Sequence, residues 1–180
     1  LIAISLFGND RNCFLARVTR CKELLQRGQF GGWGALVSND FFLQNENLQL
    51  VHDAGCVTLF SGVESFDNEW LRRVNKVQNT HLSQVELIQK CLNAGIVFLY
   101  GVMLDVTTRT LTDLRRELDF ITSTPEITLP GFLTTAIPIP GTPFFYDCLA
   151  NVLFLPRTKL RDLDGSTRSL RTMETGRDVV

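Results

Sequence analysis

The stretch Cys56–Ser65, CVTLFSGVES, decides how the rest of the chain is read. It begins apolar and β-prone and closes on a glycine, a carboxylate and a hydroxyl. An apolar run of this length bounded by turn residues reads as a buried strand, Cys56–Ser61. That strand delivers Gly62, Glu64 and Ser65 to its carboxyl end, where α/β proteins carry their chemistry. A glutamate is uncommon at the end of an apolar strand unless it is paired or has a function. Helix caps also prefer shorter side chains. Glu64 is therefore read as a ligand-binding residue.

Outward on the N-terminal side, Leu1–Phe7 reads as a strand, and Gly8-Asn9-Asp10 as the turn into a helix capped by Asn9 or Asp10. Phe14, Leu15, Val18, Cys21, Leu24 and Leu25 form that helix's apolar face, and Gly28 closes it. Trp33–Val37 is a second strand, Ser38-Asn39-Asp40 a polar turn, and Leu48, Val51 and Ala54 the face of a short helix ended by Gly55. On the C-terminal side, Asp67-Asn68-Glu69 start a helical turn in which Trp70, Leu71 and Val74 share a face. Thr80 opens a clearer helix, with Leu82, Val85, Ile88 and Leu92 along one side and Gly95 just past its end. Ile96–Leu104 is a fourth strand. Thr110 and Asp113 have capping-box spacing, ahead of a helix buried through Leu114, Leu118 and Ile121 and stopped by Pro125. Thr128–Ile137 is a fifth strand, broken by PIPGTP at Pro138–Pro143, and Phe144–Leu155 reads as a last helix. From Pro156 the chain turns polar and reads as irregular, with disorder expected near Val180.

Strand and helix thus alternate, which argues for parallel strands and right-handed crossovers. Four of the five strands carry few polar residues, the pattern of strands covered on both faces. A complete eight-stranded barrel needs about 250 residues. Five strands in 180 residues make either an open doubly wound sheet or part of a barrel. With 44% hydrophobic and 21% charged residues the chain can build one real core. A net charge of −1 without a basic run gives no support for nucleic-acid binding. No apolar stretch reaches the roughly 18–20 residues of a membrane span, and LIAISLF lacks the length and basic flank of a signal peptide. Cys13, Cys21, Cys56, Cys91 and Cys148 are widely spaced, without a CxxC, and read as reduced core cysteines of a cytoplasmic protein. The start at Leu1, without methionine and inside a strand, suggests a piece of something longer.

Parallel strands bring their carboxyl ends to one rim. Asn9 and Asp10 follow strand one, Ser38, Asn39 and Asp40 strand two, and Gly62, Glu64 and Ser65 strand three. Asp105, Thr107 and Thr108 follow strand four, and the Pro-Gly-Thr loop strand five. Capping alone accounts for Asn9, Asp10, Asn39 and Asp40; Asp105 fits a cap or a ligand. His52 and His81 stand apart from each other and from cysteines at ligand spacing, so they do not read as a metal site. Asp162-Leu163-Asp164-Gly165 lacks the third ligand position and closing glutamate of a calcium loop and reads as a turn. Gly31-Gly32-Trp33-Gly34 precedes a strand, the wrong context for phosphate binding.

Five features in order, AGC…GVES (Ala54–Ser65), NAGI (Asn93–Ile96), the strand with Gly101, LDFI (Leu118–Ile121) and PIPGTPFF (Pro138–Phe145), resemble the radical S-adenosylmethionine superfamily, in its branch with a cobalamin-binding domain. The resemblance implies the α/β fold of that family: a partial (β/α)6 barrel, here about five parallel strands with the first βα unit missing. It places the C-terminal part of the barrel at residues 1–155 and an irregular extension at 156–180. It implies S-adenosylmethionine as cofactor, with a [4Fe–4S] cluster and cobalamin held upstream, by a cluster-bearing first βα unit with a CxxxCxxC and by a cobalamin-binding domain. Glu64 resembles the acidic residue that contacts the cofactor's ribose or amino-acid part, with Ser65 following it and Gly62 allowing close approach. Asp105 takes a later position of the glycine-containing fourth strand, and Pro140, Gly141 and Thr142 resemble the loop that closes over the adenine. The implied reaction is radical methylation or a related carbon-centred rearrangement of a small-molecule substrate, with this chain inactive alone. An aldolase-like α/β barrel enzyme, or a non-catalytic interaction domain derived from such a barrel, are the alternatives.

Overall fold

A computed structural model describes residues 3–5, 10–165 and 167–174. The strands are β1 (Ala3–Ser5), β2 (Trp33–Leu36), β3 (Cys56–Glu64), β4 (Val97–Leu104) and β5 (Phe132–Thr135). The helices are α1 (Arg11–Gln26), α2 (Glu46–Asp53), α3 (Asn68–Arg73), α4 (Gln84–Asn93), α5 (Leu111–Ser123) and α6 (Pro143–Ala150). The strands lie in one sheet in the order β1-β2-β3-β4-β5. β1 pairs with β2 and β2 with β3, both parallel, with a bulge between Trp33 and Gly34. Strand order that follows the sequence has no reversal point, so crossovers of one hand fall on one face of the sheet. This is the order of a barrel sector rather than of a doubly wound sheet.

The chain divides into two compact units, residues 1–101 with 124–132, and residues 102–123 with 133–180. In the first, Leu59, Ser61 and Val63 of β3 and Phe98 and Tyr100 of β4 are buried. Their alternates are open: Val57, Val97 and Leu99 are 44%, 58% and 41% exposed. The expectation that the strands are covered on both faces is thus corrected. An apolar run does not distinguish a covered face from an open apolar one, and here the open face is apolar too. Edge and stacked contacts link the buried Phe14, Phe41, Phe42, Phe98 and Tyr100 and the half-buried Phe66 into one aromatic series, with centroids 5.1–6.1 Å apart. Each such pair contributes about 0.5–1.5 kcal/mol beyond its area.

Local signals place most termini. Asp10 caps α1 by accepting from the amides of Asn12 and Cys13 at 2.9 and 3.2 Å; Asn9 lies outside the described residues. The 310 turn Asn39–Leu43 replaces the expected loop and buries Phe41 and Phe42. α4 begins at Gln84 rather than Thr80, because Thr80 closes a separate 310 turn, Val77–Thr80, with its hydroxyl on the Val77 carbonyl. The buried face of α4 is consequently Gln84, Leu87, Ile88 and Cys91, and Leu92 is exposed. β5 is shorter than Thr128–Ile137: Pro130 has no N–H to give a ladder, and pairing is confined to Phe132–Thr135.

In the second unit, Val102, Leu114, Ile121, Ala136, Cys148 and Leu170 are buried. The Thr110–Asp113 capping box forms, with the Asp113 amide donating to the Thr110 hydroxyl at 3.1 Å and the Thr110 amide to the Asp113 carboxylate at 3.4 Å. Glu117, on the buried face of α5, pairs with Arg109; their side chains are 3% and 2% exposed. α6 ends at Ala150, short of Leu155, where Val152 takes a φ of +53°. Beyond it the chain makes a 310 turn at Leu160–Asp162 and returns as an antiparallel bridge between Phe154 and Leu170.

Candidate functional site

β3 continues past Ser61 to Glu64, and Glu64 has a φ of +66°. The Ser65 amide donates back to the Val63 carbonyl at 2.8 Å. Together these make a three-residue γ-turn of the positive-φ kind, which is rare and strained. Such a conformation costs an L-residue about 1–3 kcal/mol and clusters at functional sites. The side chain folds back along the strand: a Cβ placed on Gly62 would stand 2.5 Å from Glu64 Oε1. Gly62 therefore clears the space the carboxylate occupies. Lys76 Nζ donates to Oε1 at 3.3 Å, and the two side chains are 41% and 19% exposed, which leaves the pair within reach of a solute. Ser65 is fully buried; its hydroxyl accepts from the Asp67 amide at 3.0 Å, and Asp67 caps α3.

Behind the turn lies a polar network that the sequence did not reveal. Asn79 Nδ2 donates to the Gly62 and Val63 carbonyls at 2.8 and 3.0 Å. Gln84 Nε2 donates to the Asn79 carbonyl, and Gln84 Oε1 accepts from Asn39 Nδ2 at 3.4 Å. The Ser61 hydroxyl donates to Asn39 Oδ1 at 2.7 Å. Asn39, Ser61, Asn79 and Gln84 are all at most 5% exposed. Gln84 gave no local hint, because it lies off the apolar stripe of Leu82, Val85, Ile88 and Leu92. On the same unit, Gly34, Ala35, Leu36, Thr58, Phe60, Leu99 and Phe132 line an apolar cavity of about 310 Å³.

The remaining expected site residues belong to the second unit. Asp105 is 4% exposed and accepts from the Thr107 amide at 2.9 Å, the Thr107 hydroxyl at 2.6 Å and the Thr108 hydroxyl. Its carboxylate thus organises its own βα loop. Ile139–Thr142 is a type II turn, closed by the Thr142 amide on the Ile139 carbonyl at 3.1 Å, with Pro140 second and Gly141 third at φ +88°. Pro140 and Gly141 are exposed. Thr142 caps α6, its hydroxyl accepting from the Phe145 amide at 3.3 Å.

Among the described residues, no three His, Cys, Asp or Glu side chains lie together as a metal site. Burial pushes the Cys56 and Cys91 thiols up to about 12. Burial, with the Asp105 and Asp147 carboxylates, pushes Cys148 up to about 11. These three thiols therefore stay protonated at neutral pH. The donor set at Glu64 and Lys76 suits a zwitterion: a carboxylate accepts from hydroxyls or an ammonium, and an ammonium donates to a carboxylate. Among the described residues, no helix is long and apolar enough to cross a membrane.

No family model and no curated protein matches the sequence. Solved structures do match. The cobalamin-dependent S-adenosylmethionine radical enzyme OxsB with aqua-cobalamin bound superposes with a TM-score of 0.53 at 23% identity, over 82% of this chain and 22% of that one. The same enzyme with aqua-cobalamin and S-adenosylmethionine bound gives 0.53 at 22% identity, with the same coverage. The archaeal Methanocaldococcus infernus Elp3 gives 0.52 at 16% identity, over 67% of this chain and 28% of that one. The chain thus spans between a fifth and a third of the length of the structures it matches. The sequential parallel sheet agrees with these superpositions: the chain has the partial-barrel α/β fold of the cobalamin-dependent S-adenosylmethionine radical enzyme OxsB.

Proposed function

We propose that this chain is the C-terminal part of the barrel of a cobalamin-dependent radical S-adenosylmethionine enzyme, and that Glu64 binds the cofactor. The observation that carries this reading is the Glu64 carboxylate, held on a strained γ-turn at the carboxyl end of β3 beside Lys76. A non-glycine residue at positive φ with its side chain folded over a glycine is a costly way to build a mere strand end. The amino-acid moiety of S-adenosylmethionine offers an ammonium to Glu64 and a carboxylate to Lys76, and the ribose hydroxyls are an alternative donor for Glu64. Gly62 and Ser65 are assigned supporting roles beside Glu64 on the same strand end. When bound, the cofactor supplies radical chemistry, for methyl transfer or a related carbon-centred reaction. The [4Fe–4S] cluster, cobalamin and their domains lie in a longer, cytoplasmic form of the protein.

The test is direct. The full-length protein, reconstituted anaerobically with iron and sulfide, is titrated with S-adenosylmethionine. Glu64→Gln is expected to weaken binding by about tenfold or more, the loss of one hydrogen bond to a charged group, with the cluster spectrum unchanged. Equal affinity in both proteins removes Glu64 from the site. Absence of a CxxxCxxC ahead of Leu1 removes the radical chemistry.

A further inference from the structure

We infer that Asn79 is a positioning residue, which holds the Glu64 carboxylate on its strained turn through the two carbonyls that precede it. The affinity part of this inference rests on Glu64 being a cofactor ligand; the geometric part does not.

A positive-φ turn at a non-glycine residue persists only where its surroundings over-determine it. Around Glu64 the surroundings are specific. The chain leaves regular strand geometry at Glu64, and Asn79 Nδ2 donates to the two carbonyls just before it, those of Gly62 and Val63, at 2.8 and 3.0 Å. Val63 O accepts from Asn79 and also from the Ser65 amide that closes the turn. Asn79 is itself fixed, because its own carbonyl accepts from Gln84, and Gln84 is held by Asn39, which accepts from Ser61 of the same strand. The network therefore starts at Ser61 and ends at Gly62 and Val63, one and two residues further along β3, and ties the end of the strand to the position before it. A fully satisfied buried network of this kind specifies one geometry, and a partly satisfied one does not. The Val77–Thr80 turn that carries Asn79 follows directly on Lys76, so the segment that fixes the backbone also places the cation on the carboxylate.

Asn79→Asp keeps the size of the side chain and replaces its two donor hydrogens with acceptors. The full-length protein is read in two ways. Hydrogen exchange of the Ser65 amide reports the turn, and the S-adenosylmethionine dissociation constant reports the carboxylate. We expect Ser65 to exchange at least about tenfold faster and affinity to fall by about tenfold or more. Val51→Ala, a core truncation in α2 at a fully buried position, serves as the stability control. It should lower the melting temperature while leaving both readouts unchanged. Should Asn79→Asp not fold, Gln84→Met, which removes the support of Asn79, is expected to change both readouts in the same direction. Wild-type Ser65 exchange in a folded Asn79 or Gln84 variant overturns the inference, and so does an equal loss of affinity in Val51→Ala. If the wild-type protein does not bind S-adenosylmethionine, the cofactor reading falls, and Ser65 exchange still decides whether Asn79 sets the turn.

Discussion

Gly62→Ala separates the site from the fold. An alanine Cβ at this position meets Glu64 Oε1 at 2.5 Å and Glu64 Cδ at 3.2 Å. Favourable contacts lie near 3.5–4.0 Å, so the carboxylate must retreat by about 1 Å. The obstructing atoms are the tip of a flexible side chain, and Gly62 is not among the residues with positive φ, so the backbone need not move. The retreat carries Oε1 away from Lys76, which it now accepts from at 3.3 Å. Loss of a partly exposed ion pair costs about 0.2–1 kcal/mol. Replacing glycine by alanine at a compatible backbone returns about 0.4–1 kcal/mol through the unfolded chain. The two nearly cancel, and the melting temperature should move by no more than about 4 °C. Affinity for S-adenosylmethionine, by contrast, should fall by about tenfold or more, since a hydrogen bond between charged groups contributes about 1.5–3 kcal/mol. Thermal unfolding and isothermal titration of wild type and variant measure both. Unchanged affinity refutes the claim that the carboxylate works from this position; a drop in melting temperature beyond about 8 °C refutes the claim that only the side chain is displaced.

Glu64→Gly should raise stability while abolishing cofactor binding, because glycine adopts a φ of +66° without the roughly 1–2 kcal/mol that left-handed backbone costs an L-residue; a melting temperature below wild type contradicts this. Arg109→Met or Glu117→Leu alone should cost about 3–5 kcal/mol by removing one member of a buried ion pair, and the double variant should recover most of it in denaturant titrations. Hydrogen bonds from Thr110 hold the Asp113 carboxyl below its ordinary value of 3.8. Since the folded value is the lower one, the box stabilises fully above that ordinary value and less as pH falls through the lowered one. Asp113→Asn should therefore flatten the fall of stability below about pH 4, measured by urea unfolding across pH.

The parts of the fold written in short-range chemistry were legible. Asp10 as one of two candidate caps, the Thr110–Asp113 box, the glycine after α4 and the strand break at Pro138–Pro143 each depend on residues within a few positions of one another. β3 was legible because its apolar run ends so abruptly in Glu64. What escaped was set by distance in sequence. Asn39, Asn79 and Gln84 are polar residues at turns and a helix start, where exposure is the ordinary expectation, Ser61 lies within β3, and the bonds among them and β3 join positions 5 to 45 residues apart. The same limit misplaced the face of α4: Leu82, Val85, Ile88 and Leu92 fit a helical stripe, but packing chose the phase that brings Gln84 to Asn79. The role of Gly62 was visible only as room for close approach. That the approaching group is the neighbouring glutamate required the φ of Glu64, for which a non-glycine residue gives no local sign.

The short 310 turn after Asn75 also limits how this protein can change. Lys76 and Asn79 are three residues apart, one turn of such a helix, and so project to the same side. One reaches the Glu64 carboxylate and the other the carbonyls behind it. Inserting or deleting a single residue between them rotates one relative to the other by roughly 120°, and no placement of the segment then restores both contacts. Among surface connections, which ordinarily drift in length, this one is held to a fixed length by two independent demands. A change of length there gives up either the charge or the bend.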